Sequence, residues 1–145
     1  MPPIRIVHRT RLPAGEAWLR LTDWARHGAQ VPFTRTTVET APPTRVGTRF
    51  TARTGVWRVA FDDPMEVTVW RPPATGSAGL VRLDKRGRVV LSWAEIEVRP
   101  LEPAGAEVHW REDLRVRGLG RFFDPVVALA GRIMFGRALA RLLRS

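Results

Sequence analysis

The sequence predicts an α+β chain in which a seven-stranded curved antiparallel sheet wraps a long C-terminal helix, with two short helices after the first strand. Three observations carry this reading. An apolar helical periodicity closes the chain after Asp124, alternating strands fill the stretch from Thr34 to Arg117, and a two-helix signal lies between the first strand and that block. A chain of 145 residues is long enough for a real core without splitting, so residues 1–145 are read as one domain.

Asp124 followed by Pro125 is an N-cap and first-turn pair: the carboxylate accepts from free backbone N–H groups, and proline lacks one. Val126, Leu129, Ile133, Gly136, Ala140 and Leu143 then recur at three- and four-residue steps, while Arg137, Arg141 and Arg144 suit the negative end of the helix dipole. Such a helix runs roughly 30 Å. From Val126 to Phe135 it is apolar almost all round, which calls for cover on more than one side. A membrane span is the rival reading, but Arg132 and the later arginines interrupt a run already too short for a bilayer. Gly131 and Gly136 each cost about 1 kcal/mol inside a helix relative to alanine, so a close approach to the backbone there, by a strand or a ligand, is expected.

At the other end, Ile4, Ile6, His8 and Thr10 alternate with Arg5, Val7, Arg9 and Arg11, a strand with one face turned inward. Pro13 and Gly15 end it. Ala17, Trp18 and Leu21 at helical spacing, then Trp24 to Gln30, form two short helices with a break near Thr22 and Asp23. The expected strands that follow are Thr34 to Thr40, Val46 to Thr54, Met65 to Arg71, Gly79 to Lys85, Arg88 to Arg99, and Ala106 to Arg117. Prolines and glycines mark most of their connections. Consecutive strands joined by short links make an antiparallel meander with one covered and one wet face.

The absence of cysteine excludes disulfides, a thiol nucleophile and Cys-based metal sites. No apolar signal segment opens the chain, so a cytoplasmic location is the default expectation. The net charge of +10 invites an anionic partner. Of the 24 basic residues, however, only Lys85 is lysine, the arginines sit singly along strands, and base-stacking submotifs are missing. No specific nucleic-acid partner is expected, only nonspecific attraction at low salt. His27 and His109 lack metal-ligand spacing and no nucleotide or phosphate fingerprint is present, so neither metal nor cofactor is expected. Monomer and homodimer both stay open.

Four stretches have a more specific likeness: Ala17-Trp18-Leu19-Arg20-Leu21-Thr22-Asp23, Val46-Gly47-Thr48-Arg49-Phe50, Phe61-Asp62-Asp63-Pro64-Met65-Glu66-Val67 leading to Pro72-Pro73, and the late arginine-bearing helix. With them the chain resembles the START and birch-pollen-allergen superfamily, SRPBCC, in its polyketide cyclase/dehydrase-like branch. The likeness spans essentially the whole chain, and each motif is a signature of fold, not of catalysis. It implies a helix-grip fold with a hydrophobic cavity between sheet and long helix. It also implies a lipid, polyketide, sterol, hormone or similar apolar ligand, on which only some such proteins do chemistry. Function has therefore to be argued from the lining.

On the last strand Val108, Trp110, Leu114 and Val116 share one face, and Glu112 lies between them, which points it at the cavity. A carboxyl among apolar groups favours its neutral form and can act as general acid or base; the alternatives are a structural pair with a basic side chain or a register slip into water. His8 shares the apolar face of the first strand, which would neighbour the last, so a Glu112–His8 proton shuttle stands against a hydrogen-bonded core histidine. Phe50, Val67 and Val69 are expected to line the cavity from the early strands, and Ser92, Ala94, Trp110 and Leu114 from the late ones. Leu129, Arg132 and Ile133 are expected to line it from the helix. Trp57 and Phe61 are placed in a loop from Thr54 to Asp63, at the cavity mouth or stapled to the short helices, with Asp62-Asp63 as turn residues before Pro64. Three functions follow: binding or transport of a small hydrophobic ligand, an enzyme using Glu112 with His8 or Arg132 assisting, or an interaction module using Trp93 or the basic surface.

Overall fold

The computed structural model describes residues 4–30, 33–56, 59–86, 90–116 and 124–144. Strand β1 (Ile4–Thr10) is followed by helices α1 (Ala14–Leu21) and α2 (Trp24–Ala29). Strands β2 (Thr34–Val38), β3 (Arg49–Val56), β4 (Val59–Arg71), β5 (Gly79–Arg86), β6 (Val90–Pro100) and β7 (Ala106–Val116) come next, and α3 (Asp124–Leu142) ends the chain. All seven strands join one antiparallel sheet in the order β1-β7-β6-β5-β4-β3-β2, so first and last strands are neighbours. This is the expected helix-grip arrangement, a curled sheet with a C-terminal helix and two short helices after β1.

The break between α1 and α2 has a local cause. Thr22 Oγ1 donates to Trp18 O at 2.8 Å, and Asp23 Oδ1 accepts the Arg26 N–H at 3.2 Å, ending one helix and capping the next. Trp18 and Trp24 are buried and anchor the pair: Trp18 meets Trp70 at 5.0 Å between ring centres, and Trp24 stacks on Phe50 at 4.5 Å.

Two expectations about the sheet are corrected. The stretch Thr54 to Asp63 is no loop: β3 runs to Val56 and β4 starts at Val59, with Val56 opposite Val59 and Thr54 opposite Phe61. Pro64 is tolerated inside β4 because, among the described residues, pairing with β5 begins at Met65 opposite Lys85, while Pro64 itself is paired with Thr51 of β3. Further along, a bulge lies between Val67 and Val69. Val67 faces Leu83 on the inner side, but Val69 faces Arg82 on the outer side, and Trp70 replaces it inward opposite Val81.

The outer face is a lattice of cross-strand ion pairs. Arg49 meets Glu66 at 2.9 Å and Arg82 meets Glu95 at 2.8 Å, while the Arg82 guanidinium also lies 4.9 Å from the Trp93 ring centre. Trp93 is therefore outward, as alternation predicts, and half-covered. His109, although on this outer face, is buried, with its Nε2 2.6 Å from Glu107 Oε1 and Arg5 alongside. Gly105, in the turn between β6 and β7, has φ +92°, and a Cβ there would lie 2.6 Å from Thr10 O.

Helix α3 is described from Asp124, the residues just before it lying outside the described ones, and its phase differs from the expected stripe. Among its described side chains the buried ones are Ala138, Leu139 and Leu142, followed by Leu143 just past its end, with Phe135 partly buried; Leu129, Arg132 and Ile133 are exposed, the first at 61 %. The first half is apolar all round, so periodicity alone could not choose a face, and packing on β1 and β7 chose the one carrying Phe135 and Leu139. Gly136 meets nothing within 4 Å of an added Cβ, so the expected close approach is not made there. The helix end is pinned by Arg20 Nη1, which donates to Arg144 O at 2.6 Å, and by Thr10 Oγ1, which donates to Leu143 O at 3.2 Å. Among the described residues no helix is long and apolar enough to cross a membrane.

Candidate functional site

Strand alternation sets the inner face of the sheet. Val81, Leu83 and Lys85 point inward from β5, Asp63, Met65 and Val67 from β4, and Trp110 and Glu112 from β7. Most are apolar and buried, including Val67, Val81, Leu83, Ala94, Ile96 and Trp110. Against them stands one charged cluster. Lys85 Nζ lies 2.8 Å from Asp63 Oδ2 and 2.9 Å from Glu112 Oε1, and the Lys85 and Glu112 side chains are only 5 % and 1 % exposed.

The register explains how three strands meet at one ammonium. Lys85 is opposite Met65, which places Asp63 on the diagonal, within reach of a long side chain. Glu112 lies two strands away, beyond β6, where Ala94 sits directly beside it; a methyl group leaves room for the ammonium to cross. Trp110 Nε1 donates to the other carboxylate oxygen, Glu112 Oε2, at 3.4 Å. The indole is held in place by Phe135 of α3, stacked at 4.9 Å, and by the His27 ring of α2 at 5.0 Å.

Charge and burial act together here. Burial alone would pull the Lys85 ammonium down, but the charges of Glu112 and Asp63 outweigh it and hold the group above the ordinary lysine range. His27 goes the other way, lowered to about 4, chiefly by burial and further by the Lys85 charge, against a bond from the ring to its own backbone carbonyl. At neutral pH the imidazole is uncharged. Two buried polar atoms in this neighbourhood have no hydrogen-bond partner among the described residues, Asp63 Oδ1 and His27 Nε2.

Of the sequence candidates, Glu112 is inward and buried, but a lysine faces it where apolar surroundings were expected. His8 is half-buried and is not brought to Glu112: Ile4 is opposite Glu112, while His8 is opposite Val108, four residues or about 13 Å along the strand. Phe50, Val67, Ala94 and Trp110 lie on the buried inner face. Val69, Leu129, Arg132 and Ile133 do not, and Arg132 instead donates to Arg5 O at 3.4 Å beside the sheet edge. Trp57 lies outside the described residues, as do the side chains of Phe61, Ser92 and Leu114.

Lys85, Asp63 and His27 were missed. Two signals were available: Lys85 is the one lysine among 24 basic residues, on the inward register of Val81 and Leu83, and Asp63 keeps two-residue spacing with Met65 and Val67. His27, on a six-residue helix, had no such signal. A separate open groove of about 600 Å³ is lined by Glu39, Arg49, Glu66 and Arg86 around Phe50, Pro64 and Met65. There Glu66 already pairs with Arg49 and with Arg86, at 2.9 and 3.5 Å. Among the described residues no group of three or more His, Asp and Glu side chains is arranged to hold a metal ion.

No protein-family model and no curated protein sequence matches the chain. Solved structures do. A STAR-related lipid transfer protein fragment from Xanthomonas axonopodis superposes with TM-score 0.72 at 17 % identity, covering 97 % of this chain and 85 % of that one. The Zhui aromatase/cyclase from a Streptomyces species gives TM-score 0.69 at 13 % identity, covering 98 % and 93 %. The protein Ara h 8.0201 gives 0.64 at 7 % identity, covering 99 % and 98 %. At these identities the likeness is one of fold. The superposition runs over most of the length of all three, and with its curled seven-stranded sheet and C-terminal helix it gives this chain a helix-grip fold.

Proposed function

We propose that the protein binds a small, largely apolar molecule between the concave face of the sheet and α3. The observation that carries this reading is the Asp63–Lys85–Glu112 cluster, buried on an otherwise apolar face beside the aromatic trio of His27, Trp110 and Phe135. Burying three ionisable groups costs several kcal/mol per ion before their mutual attraction is counted, and apolar residues of similar volume serve stability as well or better. A few convergent polar groups within an apolar, aromatic surround are the usual make-up of a small-molecule site. Two of the three structural neighbours support the same reading, since their names give a lipid transfer protein and an aromatase/cyclase.

Binding is tested by thermal denaturation of the purified protein against lipids, aromatic polyketides, sterols and hormones. A molecule bound only to the folded state raises the midpoint with concentration, by about 2.7 kcal/mol in stability at a hundredfold excess over Kd. A midpoint unmoved by every class at saturation, with no co-purified molecule in native mass spectrometry, sinks the proposal.

Catalysis on the same scaffold is the second reading, and His27 favours it: an uncharged, half-buried imidazole whose buried Nε2 is free, near a lysine-paired carboxylate, can take up a proton. Turnover of a cyclisation or dehydration substrate that survives unchanged in both Glu112→Gln and His27→Gln removes this reading and leaves the binding one standing.

A further inference from the structure

The charged cluster is unbalanced in a way that selects a ligand. One ammonium faces two carboxyl groups, Asp63 Oδ2 at 2.8 Å and Glu112 Oε1 at 2.9 Å, and the indole of Trp110 takes the second Glu112 oxygen at 3.4 Å. Asp63 Oδ1 is left over. It is a buried acceptor without a partner among the described residues, on a residue only 9 % exposed. His27 Nε2 is left over as well, a buried ring nitrogen without a partner among the described residues, and with the ring proton on Nδ1 it is a second bare acceptor. Both unsatisfied atoms are of the same kind, and an unpaired buried acceptor is costly until a donor reaches it.

We infer that the polar end of the bound molecule is a hydrogen-bond donor, a hydroxyl, phenol or ammonium group, recognised by Asp63 Oδ1 with His27 Nε2, and that carboxylate-bearing ligands are rejected. The inference rests on the binding reading above and adds the chemical class of the ligand's head. Lys85 does not reverse this preference, because its ammonium is already shared between Asp63 and Glu112. An incoming carboxylate would meet two carboxyl groups and compete for that one cation. A site built around acceptors discriminates strongly against an analogue lacking the donor, since the acceptors then stay unpaired.

Two matched series test this at pH 7 on the full chain, by calorimetry or tryptophan quenching. The first is 2-naphthol, naphthylmethylammonium, 2-methoxynaphthalene and 2-naphthoate; the second is dodecanol, dodecylammonium, dodecyl methyl ether and dodecanoate. Within at least one series the hydroxyl or ammonium member is expected to bind at least about tenfold more tightly than the ether, with the carboxylate weakest. Asp63→Asn, which replaces one acceptor oxygen by an amide donor, is expected to narrow that gap to about threefold or less. The wild-type series decides the matter even if that variant does not fold. Equal binding of all four heads overturns the donor inference and leaves the binding reading intact, as does tightest binding of the carboxylate. Failure of all eight probes to bind overturns both.

Discussion

Lys85 and Glu112 sit on strands separated by β6, yet their charged ends meet at 2.9 Å on a diagonal across it that passes the small side chain of Ala94 beside Glu112. That one contact joins the middle of the sheet to β7 and sets the polarity of its inner face. It also decides how the interior should respond to substitution.

Replacing the cation alone should be severe. Lys85→Met leaves Asp63 and Glu112 buried without a counter-charge and is expected to cost about 3–5 kcal/mol in urea denaturation. The triple change Lys85→Met, Asp63→Leu, Glu112→Leu is expected to restore stability to the wild-type value or above it, while abolishing discrimination among ligand head groups. A triple variant as unstable as the single one would show that the ions themselves hold the fold.

Ala94→Leu tests the crossing. The site is 2 % exposed and lies directly beside Glu112, so extra carbons push Lys85 away from its partner. Overpacking of this kind costs about 1–3 kcal/mol. Ala94→Gly removes only a methyl group from the crossing point and should keep the ion pair.

Acid should weaken the protein through His27. Its folded value of about 4 lies below the ordinary 6.5, so the unfolded chain binds the extra proton between those limits. Stability is therefore fully present above pH 6.5 and is lost as pH falls toward 4, by an amount on the order of 3 kcal/mol. Denaturation midpoints at pH 7.5 and 4.5 should differ less in His27→Gln than in the wild type; an identical difference in both would clear His27 of the effect.

The phase of α3 is checked by a pair of variants. Leu139→Ala empties a fully buried position and is expected to cost about 2–5 kcal/mol, whereas Ile133→Ser, at a half-exposed position, should stay within about 0.5 kcal/mol. The opposite order would put the buried face back on the Leu129–Ile133 stripe.

Local chemistry made most of the architecture legible. Thr22 and Asp23 mark the break between the short helices, and two-residue alternation on β7 turns Glu112 inward; each depends on neighbours within a few positions. Alternation failed where one extra residue entered the strand. The bulge after Val67 exchanged Val69 for Trp70 on the inner face, a change that no local pattern announces. Asp63 was hidden by Pro64, which reads as a turn residue unless it is known that, among the described residues, pairing with β5 starts one position later, at Met65.

What the chain could not disclose residue by residue was partnership. That Glu112 has a lysine for company, that His8 lies four positions from it along the paired strands, and that α3 buries Leu139 in place of Ile133 all follow from the stagger of strands and the docking of one helix. Spacing along the backbone specifies which face a side chain takes, because that is a matter of a few dihedral angles. Which groups it meets there depends on contacts between residues tens of positions apart, and only the assembled sheet brings those together.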